Sequence, residues 1–247
     1  MEKKLFQPRS DRPMQVAVFG SGTGTILQAM LAAQKSASTS FSIRLLYTDR
    51  ECRFQKIAAE ENLPLLYHPW KAPREEYDRQ GLELLHSFPF EIDFLLLAGY
   101  MRLMSPVWLS AFKHRILNIH PADLTVLDAQ GKRKYIGAEA VFAALQSGEM
   151  RTRSTAILID EQVDGGPVLV SGAWVPYEGE YPVTQERATE HQTKQKAKSD
   201  WPACLAALQL IGEGRISLDT KTGQVFLDGK KLPNCGYAIG ETTCVGY

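Results

Sequence analysis

The sequence predicts an α/β fold: an open, mostly parallel twisted sheet with helices on its faces, then a C-terminal helix and a small β-hairpin. Three observations lead there. Strand-like apolar runs alternate with helical stretches from Met14 to Ser171, the order expected of a parallel sheet. Residues 92–98 are apolar on both faces apart from Asp93, as in a central strand covered by helices. A glycine-rich turn, Gly20-Ser21-Gly22-Thr23-Gly24-Thr25, joins one such strand to one such helix.

Taken in order, residues 14–19 read as a buried strand, and 26–31 open a helix. Residues 42–47 form the second strand, 54–62 a helix and 63–67 a short third strand. Pro73-Arg74-Glu75-Glu76 opens another helix, with proline and acids in its first turn. After strand 92–98 comes the turn Gly99-Tyr100-Met101-Arg102-Leu103-Met104, and Ser105-Pro106 starts a helix. The run Arg115-Ile116-Leu117 leads into Asn118-Ile119-His120-Pro121, where the proline ends the strand. Residues 137–145 read as a helix, 154–159 and 168–171 as strands, and 184–198 and 201–211 as helices. Residues 216–219 and 224–227, joined through Thr222-Gly223, read as a hairpin. Three segments follow: an N-terminal extension (1–13), an α/β domain (14–212), and a hairpin with its tail (213–247).

Composition narrows the function classes. The 247 residues are 44% hydrophobic and 23% charged, enough for one core. The 28 Lys and Arg balance the 28 Asp and Glu, so no global basic field points to nucleic acid. No apolar run approaches the ~20 residues of a membrane helix, and the polar N-terminus lacks a signal-peptide core. The expected partners are therefore small-molecule substrates, with no nucleic acid and no membrane. Cys52, Cys204, Cys235 and Cys244 form no C-x-x-C pair. A zinc site is not expected, and free thiols in a reducing cytoplasm are.

Several residues carry candidate chemistry. Asn118 and His120 stand two apart on a strand and so share a face. An amide donor beside a group that titrates near neutrality suits acyl transfer; a histidine capping a strand end is the alternative. The glycine turn and the helix after it form an anion site, through close main-chain N–H groups and the helix dipole. A dinucleotide fingerprint wants glycine where Thr25 stands, but Asp49, closing the next strand, keeps that reading open. Asp164, in Val163-Asp164-Gly165-Gly166-Pro167, is either a turn carboxylate or a catalytic one. The glycine turn, the Arg102 turn and the Asn118–His120 pair all fall at carboxyl ends of strands, where such sheets bind ligands.

In their order and spacing, Ser21-Gly22-Thr23-Gly24-Thr25, Leu97-Ala98-Gly99-Tyr100-Met101-Arg102, Asn118-Ile119-His120-Pro121 and Val163-Asp164-Gly165-Gly166-Pro167 resemble the phosphoribosylglycinamide formyltransferases and their folate-dependent relatives. The likeness spans residues 14–176. It implies the Rossmann-like fold of that family, 10-formyltetrahydrofolate as co-substrate, no metal, and a primary amine acceptor carrying a ribose phosphate, glycinamide ribonucleotide in purine biosynthesis. It also implies His120 as the catalytic residue, Asn118 as oxyanion partner and Asp164 as the carboxylate that raises the pKa of His120. Met101, Arg102, Leu103, Met104 and Asn118 would line the folate pocket, with Arg74 a weaker contact. Gly22, Gly24, Thr25 and Ile26 would hold the phosphate, and Glu190 the ribose. Oligomeric state is left open, a homodimer being the candidate.

The departures are specific. Thr25-Ile26 stands where the family has Ser-Asn, which loses an amide. Ala122-Asp123-Leu124-Thr125 replaces Ser-Leu-Leu-Pro and runs into a longer loop. A histidine expected before Asp164 is Ile157, the glycine at the start of that strand is Arg153, and there is extra length between His191 and Pro202. They keep alternatives in play: a 10-formyltetrahydrofolate hydrolase, a formyltransferase with another amine acceptor, a dinucleotide oxidoreductase resting on Gly20, Gly22 and Asp49, and a non-catalytic folate-binding protein.

Overall fold

The computed structural model describes residues 2–240. In chain order the elements are β1 (Glu2–Lys4), β2 (Met14–Phe19), α1 (Thr25–Ser36), β3 (Phe41–Thr48), α2 (Arg53–Glu60), β4 (Leu65–Tyr67), α3 (Arg74–His86), β5 (Phe94–Leu97), α4 (Pro106–Ala111), β6 (Ile116–His120) and α5 (Ala140–Gln146). There follow β7 (Arg151–Thr152), β8 (Thr155–Leu158), β9 (Val168–Ser171), β10 (Val175–Pro176), α6 (Gln185–Gln195), a π-helical turn (Lys196–Asp200), α7 (Trp201–Gly212), β11 (Ile216–Asp219), β12 (Val225–Leu227), β13 (Lys230–Lys231) and β14 (Tyr237–Ala238).

The main sheet has the order β14-β9-β8-β6-β5-β2-β3-β4. Strands β4, β3, β2, β5 and β6 run parallel, whereas β8 is antiparallel to both β6 and β9. The chain builds outward from β2 through β3 to β4, then crosses back to place β5 on the other side of β2. The β2/β5 boundary is thus the switch point, beyond whose carboxyl strand ends open sheets of this kind bind ligands.

Side-chain alternation explains the two covered faces. Val16, Val18, Leu96, Leu117 and Ile119 pack with Leu27 and Met30 of α1 and with Ala207, Leu208 and Ile211 of α7. Ala17, Phe19, Leu45, Tyr47, Leu95 and Leu97 face the other way, onto Leu85 of α3 and Trp108 of α4. Phe19 and Tyr47 stack at 4.2 Å, and Trp108 meets Phe19 edge-on at 5.2 Å.

The termini add pairings to the sequence reading. Within the N-terminal extension β1 pairs antiparallel with β11, so the expected hairpin becomes part of a four-stranded sheet, β1-β11-β12-β13. The tail contributes β14, which pairs parallel with β9. The 184–198 helix ends at Gln195, and the extra length beyond it is taken up by the π turn. Pro202 has no N–H to offer the preceding turn, and the wider turn sits just before it. Cys52 and Cys204 are free thiols. Cys235 is disulfide-bonded, which corrects the free-thiol expectation there; Cys244 lies outside the described residues.

The glycine turn is shaped by packing as well as by any ligand. A Cβ on Gly20 would lie 2.1 Å from the Phe54 ring, which is fully buried under β2 and β3. Gly20→Ala is therefore expected to cost about 1–3 kcal/mol; a shift in the urea unfolding midpoint measures it, and an unchanged midpoint would contradict this packing.

Candidate active site

Leu117 and Ile119 of β6 point into the core, which leaves Asn118 and His120 on the opposite face at the strand's carboxyl end. His120 is 3% exposed. Its Nε2 lies 2.7 Å from the carbonyl of Tyr135, an acceptor only, so Nε2 carries a proton and donates it. Nδ1 then faces Asp164, whose Oδ2 is 3.4 Å away. The structure thus brings together His120 and Asp164, 44 positions apart in sequence.

Asp164 stands in the β8–β9 loop at φ 51°, a left-handed conformation. Its Oδ2 accepts the N–H of Gly137 at 2.9 Å. The glycine at 166 is required: a Cβ there would lie 1.9 Å from the carbonyl oxygen of Leu158. Burial pushes the His120 pKa down and outweighs the Asp164 carboxylate and the Tyr135 carbonyl, which push it up; Arg133 adds to the lowering. Asp164 thus pushes the pKa up, as the sequence suggests, but burial decides the net direction. In a nearly dry site desolvation of the cation wins, and the resting ring is neutral with its Nδ1 lone pair on the Asp164 side.

A second cluster lies at the switch point. Ser21 Oγ donates to Asp49 Oδ1 at 2.6 Å and accepts the N–H of Met101 at 3.1 Å, tying the glycine turn to the turn after β5. Arg102 Nε donates to Asp49 Oδ2 at 2.9 Å, and its guanidinium sits 4.4 Å over the Trp70 ring. Burial raises the Asp49 pKa, but bonds from Arg50, Ser21 and Arg102 together hold it below the ordinary carboxylate value. Asp49 is committed to these partners, so the dinucleotide reading loses its acidic residue.

The other candidate residues divide. Met101 and Leu103 project 62% and 56% exposed beside Arg102, while Met104 packs against the core. Gly22 is exposed and Gly24 buried before the first turn of α1, which Thr25 opens. The Ile26 side chain is partly buried against the core and carries no hydrogen-bonding group, so any polar contact at this position comes from its main chain. Arg74 and Glu190 are exposed and make no hydrogen bond or ion pair among the described residues; no contact joins either to the clusters.

The structure adds residues that sequence reasoning missed. Tyr135 and Gly137 act through the main chain, which leaves no side-chain signature. Gln195, five residues beyond Glu190, donates to the carbonyl of Pro121 at 2.8 Å. Arg153 Nε donates to Asp123 Oδ2 at 2.8 Å, both buried, so two separate departures from the family pattern are partners. Arg153 also lies 4.3 Å over the Trp174 ring. Ile157, in register with Asn118, is fully buried against Leu124 and Val168. Among the described residues no group of three or more His, Cys, Asp or Glu is arranged to hold a metal, and no helix is long and apolar enough to cross a membrane.

A buried imidazole beside a carboxylate, on the same strand face as an amide and at the carboxyl end of a parallel strand, is an arrangement that suits acyl transfer. The chain belongs to the formyl transferase family, whose profile matches residues 14–198. It is 28% identical to phosphoribosylglycinamide formyltransferase of Escherichia coli K12, over 92% of this chain and 100% of that protein. Against the chloroplastic phosphoribosylglycinamide formyltransferase of Vigna unguiculata it is 32% identical, over 90% of this chain and 68% of that one. The solved structure of phosphoribosylglycinamide formyltransferase from Coxiella burnetii superposes with a TM-score of 0.76 at 26% identity, covering 92% of this chain and 99% of that one.

Behind the site lies a buried polar group. Asp200, in the π turn, accepts from Gln195 Nε2 at 3.2 Å, and burial pushes its pKa up to about 6. A carboxyl raised on folding is neutral and unpenalised at low pH, and destabilises as pH climbs from its unfolded value, 3.8, through 6. Asp200→Asn keeps an acceptor and removes the charge. Its melting temperature should match wild type near pH 3.5 and exceed it at pH 7.5, a gain of at most roughly 2–3 kcal/mol; lower stability at pH 7.5 would contradict the assignment.

Proposed function

We propose that the protein transfers the formyl group of 10-formyltetrahydrofolate to the primary amine of a ribose-phosphate acceptor, glycinamide ribonucleotide. The observation that carries the reading is the convergence of His120 and Asp164 beside Asn118. In this reading the co-substrate supplies a formyl carbon bonded to a weakly basic nitrogen, and the chain's residues do the rest. The Asn118 amide donates to the oxygen that gains charge as the amine attacks; losing such a donor typically costs about a hundredfold or more in rate. His120 Nδ1 takes the proton the amine sheds, and Asp164 stabilises the imidazolium that forms. The same Nδ1–H returns the proton to the departing nitrogen, so charge and protons balance over the cycle.

Met101 and Leu103, exposed beside Arg102, offer an apolar edge to the ring system of the co-substrate, with Arg102 fixed by Asp49 and Trp70. The first-turn N–H groups of α1 would take the acceptor's phosphate, without help from the side chain at 26. A second reading, release of the formyl group to water, draws support from that same Ile26.

The test is formyl transfer to glycinamide ribonucleotide and to its dephosphorylated form, with formate release followed in parallel. Transfer that needs the phosphate supports the proposal; formate release with no amine consumed would replace it. His120→Ala and Asp164→Asn should each lower kcat by about two to four powers of ten, with folate binding changed by no more than about threefold. Because the working ring is neutral, the acid limb that His120 contributes should lie below the ordinary 6.5, apart from the limb set by the acceptor's own amine; following the His120 ring protons by NMR across pH measures it, and a ring that titrates above 6.5 would contradict the base assignment.

A further inference from the structure

The loop after β6 is held at its tip by Asp128, whose carboxylate accepts the N–H groups of Gln130 and Lys132 at 2.9 and 2.8 Å. A bridge between Leu127 and Arg133 closes it. Arg133 then turns back towards the β8–β9 loop. Its guanidinium donates from Nη1 to the carbonyl of Asp164 and from Nη2 to the carbonyl of Gly166, the latter at 2.8 Å. Those carbonyls bracket the turn that carries Asp164 in its left-handed conformation, which costs of order 1 kcal/mol and needs surroundings that enforce it. Two residues beyond Arg133, Tyr135 supplies the carbonyl that orients His120, and Gly137 the N–H that holds Asp164 Oδ2. One short segment therefore fixes both members of the pair.

We propose that Arg133 is a positioning residue for formyl transfer: by gripping the main chain on both sides of the Asp164 turn, it holds that carboxylate on the Nδ1 face of His120. The inference rests on the reading under Proposed function. A guanidinium suits the task because its planar fork satisfies two fixed acceptors at once, which an ammonium cannot match. The charged groups facing His120 are Asp164 and Arg133, and those facing Arg133 are Asp160 and Asp164. Arg133 makes no hydrogen bond to the His120 ring or to any atom assigned to the reaction; beyond its charge, which adds to the lowering of the His120 pKa, its effect passes through the Asp164 turn.

A double-mutant cycle on the full chain tests this. Arg133→Met should lower kcat by about tenfold to a hundredfold and leave KM for both substrates within about twofold. In an Asp164→Asn background the same change should cost no more than about twofold, since the carboxylate it positions is gone. Arg133→Lys, which keeps the charge, should recover only part of the loss. Additive losses, or full recovery by lysine, would overturn the clamp. Amide exchange at Gly137, whose N–H bonds Asp164, gives a readout independent of turnover. It should speed up about tenfold or more in Arg133→Met while β6 amides stay protected, and unchanged exchange would overturn the proposal. If wild type transfers no formyl group to an amine, the functional reading fails and the Gly137 exchange alone decides the clamp. If Arg133→Met does not fold, Arg133→Lys carries the same cycle and exchange comparison.

Discussion

A carboxylate and an imidazole held 3.4 Å apart in a site almost closed to water are the constraint around which the rest is arranged. At that distance they do not share a tight hydrogen bond, so their alignment is not self-sustaining. It must be imposed from outside, and three contacts impose it: the Tyr135 carbonyl on Nε2, the Gly137 N–H on Oδ2, and the Arg133 fork on the Asp164 turn. Burial keeps the resting ring uncharged, while the carboxylate is in place to stabilise the charge when it appears. In the proposed reaction a neutral base that becomes a supported cation only as the amine attacks would stabilise the transition state more than the ground state.

The sheet topology decides where this can happen. Strand β6 ends at His120, Pro121 stops it, and Asn118 and His120 are left at the carboxyl end of the strand. The Ser21–Asp49–Arg102 cluster stitches the β2/β5 boundary together from three strand ends and fixes the turn carrying Met101 and Leu103. The altered residues around the site form consistent sets. Arg153 brings a buried cation and Asp123 a buried anion, and each would be destabilising without the other. Ile157, Leu124 and Val168 together make a small apolar cluster, with Ile157 in register with Asn118.

Much of this was legible in the chain. Strands with apolar residues on both faces and helices between them announce a parallel sheet, because only covered strands can be apolar throughout. Asn118 and His120 were visible as a period-two pair ended by proline, and Asp164 as a carboxylate before two glycines. The reversal at β8 was not legible, since an antiparallel strand buried on both sides reads like a parallel one. Nor was the pairing of β1 with β11, which joins a wholly charged strand to one near the other end of the chain. Asp49 kept the dinucleotide reading open from its place at a strand end, and only its bonds from Ser21, Arg50 and Arg102 show that it is occupied. Groups that act through the main chain, at Tyr135 and Gly137, leave nothing to read. The direction of the His120 pKa depends on burial, which residue types alone do not state.

The account stands or falls on where the formyl carbon sits. A crystal structure with a stable analogue of 10-formyltetrahydrofolate, carrying a non-transferable carbonyl at the formyl position, measures that directly. The account predicts the carbonyl oxygen within about 3 Å of the Asn118 amide nitrogen, with the carbon on the Nδ1 side of His120. An analogue bound elsewhere on the sheet, or with its carbonyl turned away from Asn118 and His120, would contradict it.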